Sequence, residues 1–209
     1  MGMKTLFDNL KYALYLIVHP FKGFWELKRE RKDTLKPAMV ILGLVIVMYI
    51  TRRQYTGFLL NDNDVSKLNI FVEIISVVLP FFLWCVSNWC LTTLMDGEGR
   101  LSDIISASAY SLTPLVIINF PLVIMSLFIT QDESAFYYFF DSLAVVWSGA
   151  LMVIGTMVTH GYTMLRTLLT VLFIIVGMGI MIFIGLLFFN VCQEMYLFVL
   201  TIFREITFR

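Results

Sequence analysis

The residues able to do acid–base, ligating or nucleophilic chemistry are few and widely spaced. Two histidines, His19 and His160, fall at the borders of long apolar segments. His160 has the hydroxyls of Thr159 and Thr163 and the cation Arg166 nearby, but no carboxylate in its own segment. A catalytic histidine needs a partner that orients it or shares its proton. Hydrogen bonding and interfacial placement are therefore its expected work. Cys85, Cys90 and Cys192 form neither a C-x-x-C pair nor a disulfide framework. They read as small buried or lipid-facing side chains. No H-E-x-x-H, nucleophile elbow or phosphate loop is present. The expectation is a protein without catalytic residues, cofactor or metal.

Charged groups inside apolar segments mark ion pathways by default, because burying them is costly. Glu73, Asp141 and the pair Arg52-Arg53 are the candidates. The plainer expectation is that the two carboxylates pair with the two arginines near one membrane border. A proton relay would need charge in mid-span, and none is placed there. The stretch Asp96-Gly97-Glu98-Gly99-Arg100 poses a different question, since glycines beside charge can cradle an anion. That chemistry needs G-x-x-x-x-G-K or G-x-G-x-x-G, and neither occurs. The glycines more simply permit a tight return between two helices. Leu101 to Ala109 then enters the next helix, with Ser102 near its N-cap.

The elements that must position these residues are membrane helices. The chain is 59% hydrophobic and 14% charged, with a mean hydropathy of +0.86. Soluble domains carry about 25% charged residues. A zero net charge argues against nucleic acid as a partner. The expected fold is all-α, a polytopic bundle of about five spans: Pro37 to Ile50 or beyond, Ile70 to Thr93, Ile104 to Ile129, Phe139 to Val158 and Leu168 to Phe189. Each approaches the roughly 20 residues that cross a hydrocarbon core. Val191 to Phe203 is apolar but short. It could prolong the fifth helix, lie on the surface or re-enter the membrane. The expected organisation is an N-terminal segment over residues 1–36, a five-span domain over 37–189 and an apolar C-terminal helix over 190–209.

Flanking charge orients the bundle. With the N-terminus inside, ten basic residues lie on the inner side and five on the outer. The positive-inside rule then gives a multi-pass protein of the cell membrane with a cytoplasmic N-terminus. Ahead of the first span, Leu6, Leu10, Leu14 and Ile17 fall on one helical stripe. After Pro20, the apolar Phe21, Phe24 and Trp25 precede Lys28, Arg29, Arg31 and Lys32. Such a segment can lie on an anionic leaflet or cap the bundle from below.

Within the spans, Asn88 and Asn119 suit helix-to-helix hydrogen bonds. Ala144 and Ser148, with Gly149, Gly155, Gly177 and Gly185, suit close approach. Pro80, Pro114 and Pro121 can each kink a helix. Pro114 and Pro121 are seven apart, hence on nearly one face, where a broken helix could line a transport site.

Two further motifs stand out: Tyr110-x-x-x-Pro114 within "SAYSLTPLVI", and His160-Gly161-Tyr162. With the lead-in "HPFKGFWELKRERKDTLKPAMVI" and the closely spaced spans, the sequence resembles the Yip domain family, the Ypt-interacting proteins, in its prokaryotic branch. The resemblance covers Val18 to Phe189. It implies a polytopic membrane protein without catalysis. Eukaryotic members bind small GTPases, but their Asp-Leu-Tyr-Gly-Pro motif has no counterpart here. The prokaryotic branch implies an accessory to sugar importers of the ATP-binding-cassette type, with permease subunits and the lipid bilayer as partners.

The expected role is thus a contact-making accessory or scaffold. Its expected partner surface is the cytoplasmic rim: Trp25, Lys28, Arg29, Arg31, Lys32, Asp96, Gly97, Gly99, Arg100 and Asp103. The alternative is a small transporter or channel with a path around Glu73, Pro114, Asn119, Pro121 and Asp141.

Overall fold

The computed structural model describes residues 3–30, 34–61 and 69–207; Arg31 and Lys32 lie outside them. The regular structure of the described residues is helical, with no strand among them. Two N-terminal helices, α1 (Met3–Val18) and α2 (Pro20–Arg29), precede α3 (Leu35–Tyr55) and α4 (Ile70–Leu94). Then follow α5 (Leu101–Ser111), α6 (Thr113–Met125), α7 (Ser134–His160) and α8 (Met164–Thr207). By length and composition, five segments can cross a membrane: α3, α4, α5 with α6, α7 with the 3-10 turn before it, and α8.

The bundle has two ends. One, the N-terminal face, carries α1, α2, the α4–α5 loop and the α7–α8 turn. The core beneath it joins Tyr12, Leu16, Phe24, Ile41, Tyr110 and Leu151 from five helices. Tyr12 donates its hydroxyl to the Gly23 carbonyl (2.7 Å), which ties α1 to α2. The buried side of α1 differs from the expected stripe. Tyr12, Ala13 and Leu16 face inward while Leu14 is 53% exposed; the side chains of Leu6 and Leu10 lie outside the described residues. A short helix takes its azimuth from what covers it, and here α2 and α3 cover a different arc.

The third span is two helices rather than one kinked rod. α5 ends at Ser111, and Pro114 sits in the first turn of α6. Proline is well placed there, because a first-turn N–H has no helical acceptor. The Tyr110 carbonyl, which would have bonded residue 114, instead accepts from the Thr113 hydroxyl (2.7 Å). Both prolines lie on α6, seven apart, but Pro114 is buried at its start and Pro121 is exposed further along. The break at Leu112 precedes both prolines, so it re-aims α6 as a whole and leaves their spacing on that helix intact.

Ser102 is the second residue of α5, close to the N-cap as expected. Arg100 holds that position, and the Asp103 carboxylate, three residues in, accepts from the Arg100 N–H (3.1 Å). Among the glycines, Gly155 packs under Phe24 and Gly177 against Ser87, whereas Gly149 and Gly185 face open space. Of these four, only the first two bring helices together.

Of the three courses open to Val191–Phe203, the structure takes the first. α8 runs unbroken for 44 residues, about 66 Å at 1.5 Å per residue, roughly twice the hydrocarbon thickness. Its buried residues, Thr167, Thr170 and Ile174, all lie in its first part, against α4 and α7.

Candidate functional site

At the N-terminal face, the α4–α5 loop, the α7–α8 turn and α2 converge. The chain leaves α4 through Asp96, whose φ of 54° is left-handed, a conformation that Asp tolerates better than most side chains. Gly97 donates its N–H to the Thr92 carbonyl (2.8 Å). The last carbonyls of α4 need donors, and the α7–α8 turn supplies them. The Met95 carbonyl accepts from the Tyr162 hydroxyl (3.0 Å) and from the Arg166 guanidinium. Arg166 also stacks over the Tyr162 ring, 4.3 Å from its centroid. A cation at a helix C-terminus complements its dipole. Burial raises the Tyr162 phenol above its usual pKa, with Arg166 opposing the shift and Asp96 adding to it.

His160 lies beneath this loop, 2% exposed and stacked on Tyr162. Gly161 takes φ +70° to end α7, the left-handed cap that glycine adopts at least cost. A Cβ on Gly97 would stand 2.7 Å from His160 Nδ1, and one on Gly99 would stand 2.7 Å from its Cε1. The two glycines therefore let the loop lie directly on the imidazole. Neither nitrogen of His160 has a hydrogen-bond partner among the described residues, contrary to the hydrogen-bonding role expected for it.

Outside this seam lies the charged rim. Lys28 reaches Glu98 (3.2 Å) and so joins α2 to the loop. Arg29 lies over the Trp25 ring at 5.5 Å. Lys28, Arg29, Glu98, Arg100 and Asp103 together line a polar cleft of about 400 Å³. The structure thus gathers Lys28, Arg29, Arg100 and Asp103 from two distant segments. Glu98, within the same loop but not named singly among the expected rim residues, belongs with them. Its position between the two glycines was the available signal.

The opposite end carries two ion pairs. Arg52 grips Asp141 with both terminal nitrogens (2.6 and 2.9 Å), and Arg53 pairs with Glu73. Glu73 and Asp141 are thereby each held in an ion pair. Asn119 is 2% exposed in α6, and its Nδ2 finds no partner among the described residues. Tyr110, fully buried, belongs to the core beneath the N-terminal face.

A half-open groove of about 440 Å³ runs between α3, α4, the α5–α6 break, α7 and α8. Pro80 lines it, with Tyr49, Ser76, Phe81, Trp84 and Leu112. Pro114, Asn119, Pro121, Glu73 and Asp141 are not among the residues that line this groove. No group of three or more His, Cys, Asp or Glu fit to hold a metal occurs among the described residues.

Five apolar helices with their ionic groups paired at the ends define a multi-pass helical membrane protein. The Yip1 domain matches residues 14–186, and the chain belongs to the Yip1 domain family. No curated protein and no solved structure matches it.

Proposed function

We propose that the chain is a non-enzymatic membrane accessory or scaffold that works by contact at its N-terminal face. A membrane protein of the Yip1 domain family suits such a role, and the family is not known for catalysis. The observation that carries the reading is the anchoring of α2. Phe24 is 1% exposed beneath it and Lys28 reaches Glu98, so Trp25, Arg29, Arg100 and Asp103 are presented from a braced platform. A preorganised polar cleft loses less entropy on docking than a loose one. Gly97 and Gly99 shape the loop, while the charged residues make the contact. Arg31 and Lys32 extend the same basic run in sequence.

On this reading the platform is cytoplasmic, as the excess of basic residues flanking that side indicates. Its partners are other integral membrane proteins of the cell membrane. Permease subunits of ATP-binding-cassette sugar importers are the class the prokaryotic resemblance suggests. The test is extraction into native nanodiscs followed by co-purification, for the unaltered chain and for the double variant Arg29→Glu/Arg100→Glu. Stoichiometric membrane subunits with the former and their loss with the latter are expected. A chain that runs alone in both cases overturns the reading. Flux of sugars or ions through proteoliposomes holding the chain alone would point instead to a transporter.

A further inference from the structure

The groove beside Trp84 has no occupant from the chain itself. It lies where Pro80 of one helix faces the break between two others. Pro80 stands inside the continuous helix α4, and the break at Leu112 separates α5 from α6; both residues line it. At about 440 Å³ it falls within the usual size of small-molecule sites, about 300–1,000 Å³. Its walls are Val45, Val77, Phe81, Leu115, Met152 and Met178, with Trp84 among them. Polar groups, Tyr49 and Ser76, stand toward one end only.

That end meets the ion-pair layer. Arg52 follows Tyr49 by three residues on the same helix, hence on its side, and Arg52 and Asp141 are electrostatic neighbours of the Tyr49 hydroxyl. The two pairs are unevenly exposed. The Arg52 and Arg53 side chains are 30% and 32% exposed, those of Asp141 and Glu73 19% and 8%. The carboxylates are turned inward, so the charge offered outward at the head of the groove is positive. A guanidinium so placed is suited to phosphate oxygens.

We propose that the groove binds one phospholipid, an acyl chain lying along Pro80, Phe81 and Trp84 and its phosphate at Arg52 and Arg53. The shape matches an amphiphile with one anionic end: apolar walls, a single polar mouth and a cationic rim at headgroup height. Filling the groove also supplies van der Waals contacts that its lining otherwise lacks. The site is separate from the platform at the N-terminal face and does not depend on the function proposed for it.

Trp84 is the reporter. It is 9% exposed, while Trp89 and Trp147 are each 44% exposed. The full chain carrying Trp25→Phe, Trp89→Phe and Trp147→Phe leaves Trp84 as its only tryptophan. In nanodiscs of phosphatidylcholine brominated along its tails, Trp84 is expected to lose most of its fluorescence. Adding Ser76→Phe, which fills the groove from its exposed side, restores it. Fluorescence undiminished by bromine overturns the proposal, as a second copy or a partner helix seated in the groove would produce. Equal quenching with Ser76→Phe also overturns it. Brominated diacylglycerol, doped beside brominated phospholipid at matched mole fraction in unbrominated bilayers, tests the phosphate. Severalfold weaker quenching by diacylglycerol is expected, and equal quenching removes the arginine contact from the proposal.

Discussion

His160 and Gly97 occupy adjoining space: a Cβ on the glycine would stand 2.7 Å from the imidazole Nδ1. The contact joins the loop after α4 to the last residue of α7, more than sixty positions later in the chain. It explains why a glycine-containing loop beside charge need not bind an anion. The absent side chain is what lets the loop rest on the histidine.

Gly97→Ala is expected to destabilise the fold by about 1–3 kcal/mol, the usual cost of overpacking a tight site. Thermal unfolding in detergent, followed by helical circular dichroism, reads the loss. The same Cβ would also stand 2.8 Å from the Tyr162 hydroxyl and 2.9 Å from Thr92 Cβ, so Gly97→Ala/His160→Ala should recover part of the loss. Separate and additive losses would show that the two residues do not share the space.

The Arg52–Asp141 pair can be tested by a double-mutant cycle. Either partner alone changed to alanine leaves a half-buried charge without its bidentate contact. A loss of about 1–3 kcal/mol is expected, below the cost of breaking a fully buried pair because both groups retain some exposure. The double variant should lose clearly less than the sum of the singles. A cycle that closes near zero would mean solvent already carries both charges.

Thr113 stands in for the donor that Pro114 lacks. Thr113→Val should therefore cost about 1–2 kcal/mol by leaving the buried Tyr110 carbonyl without its hydroxyl donor. In a Pro114→Ala background a backbone N–H becomes available for that carbonyl, and the same substitution should cost much less. An equal cost in both backgrounds would assign the effect to packing alone.

Gly155 sits where a Cβ would meet the Phe24 ring at 3.1 Å. Gly155→Leu is expected to lift α2 from α7. The readout is proteolysis near Lys28 and Arg29, protected in the unaltered chain and cut in the variant. Unchanged protection would mean that α2 is held chiefly by Tyr12 and α1.

Much of the architecture is legible in the chain. Five spans, their order and the polar connections follow from hydropathy, because a lipid exterior demands long apolar segments with every backbone group bonded internally. That Glu73 and Asp141 would find Arg52 and Arg53 follows from the cost of an unpaired charge at a membrane border. Which arginine takes which acid does not, since it depends on the azimuth of three helices. The same reason hides the packing of Gly97 on His160, the capping of Met95 by Tyr162 and Arg166, and the inward turn of Tyr12 and Leu16 in place of Leu14. Proline positions announce interruptions, but only the tertiary fold decides that Pro114 begins a new helix, that Pro121 faces outward, and that Pro80 and Leu112 meet across one groove. Hydropathy is local and survives without neighbours; register, azimuth and voids are properties of helices packed together.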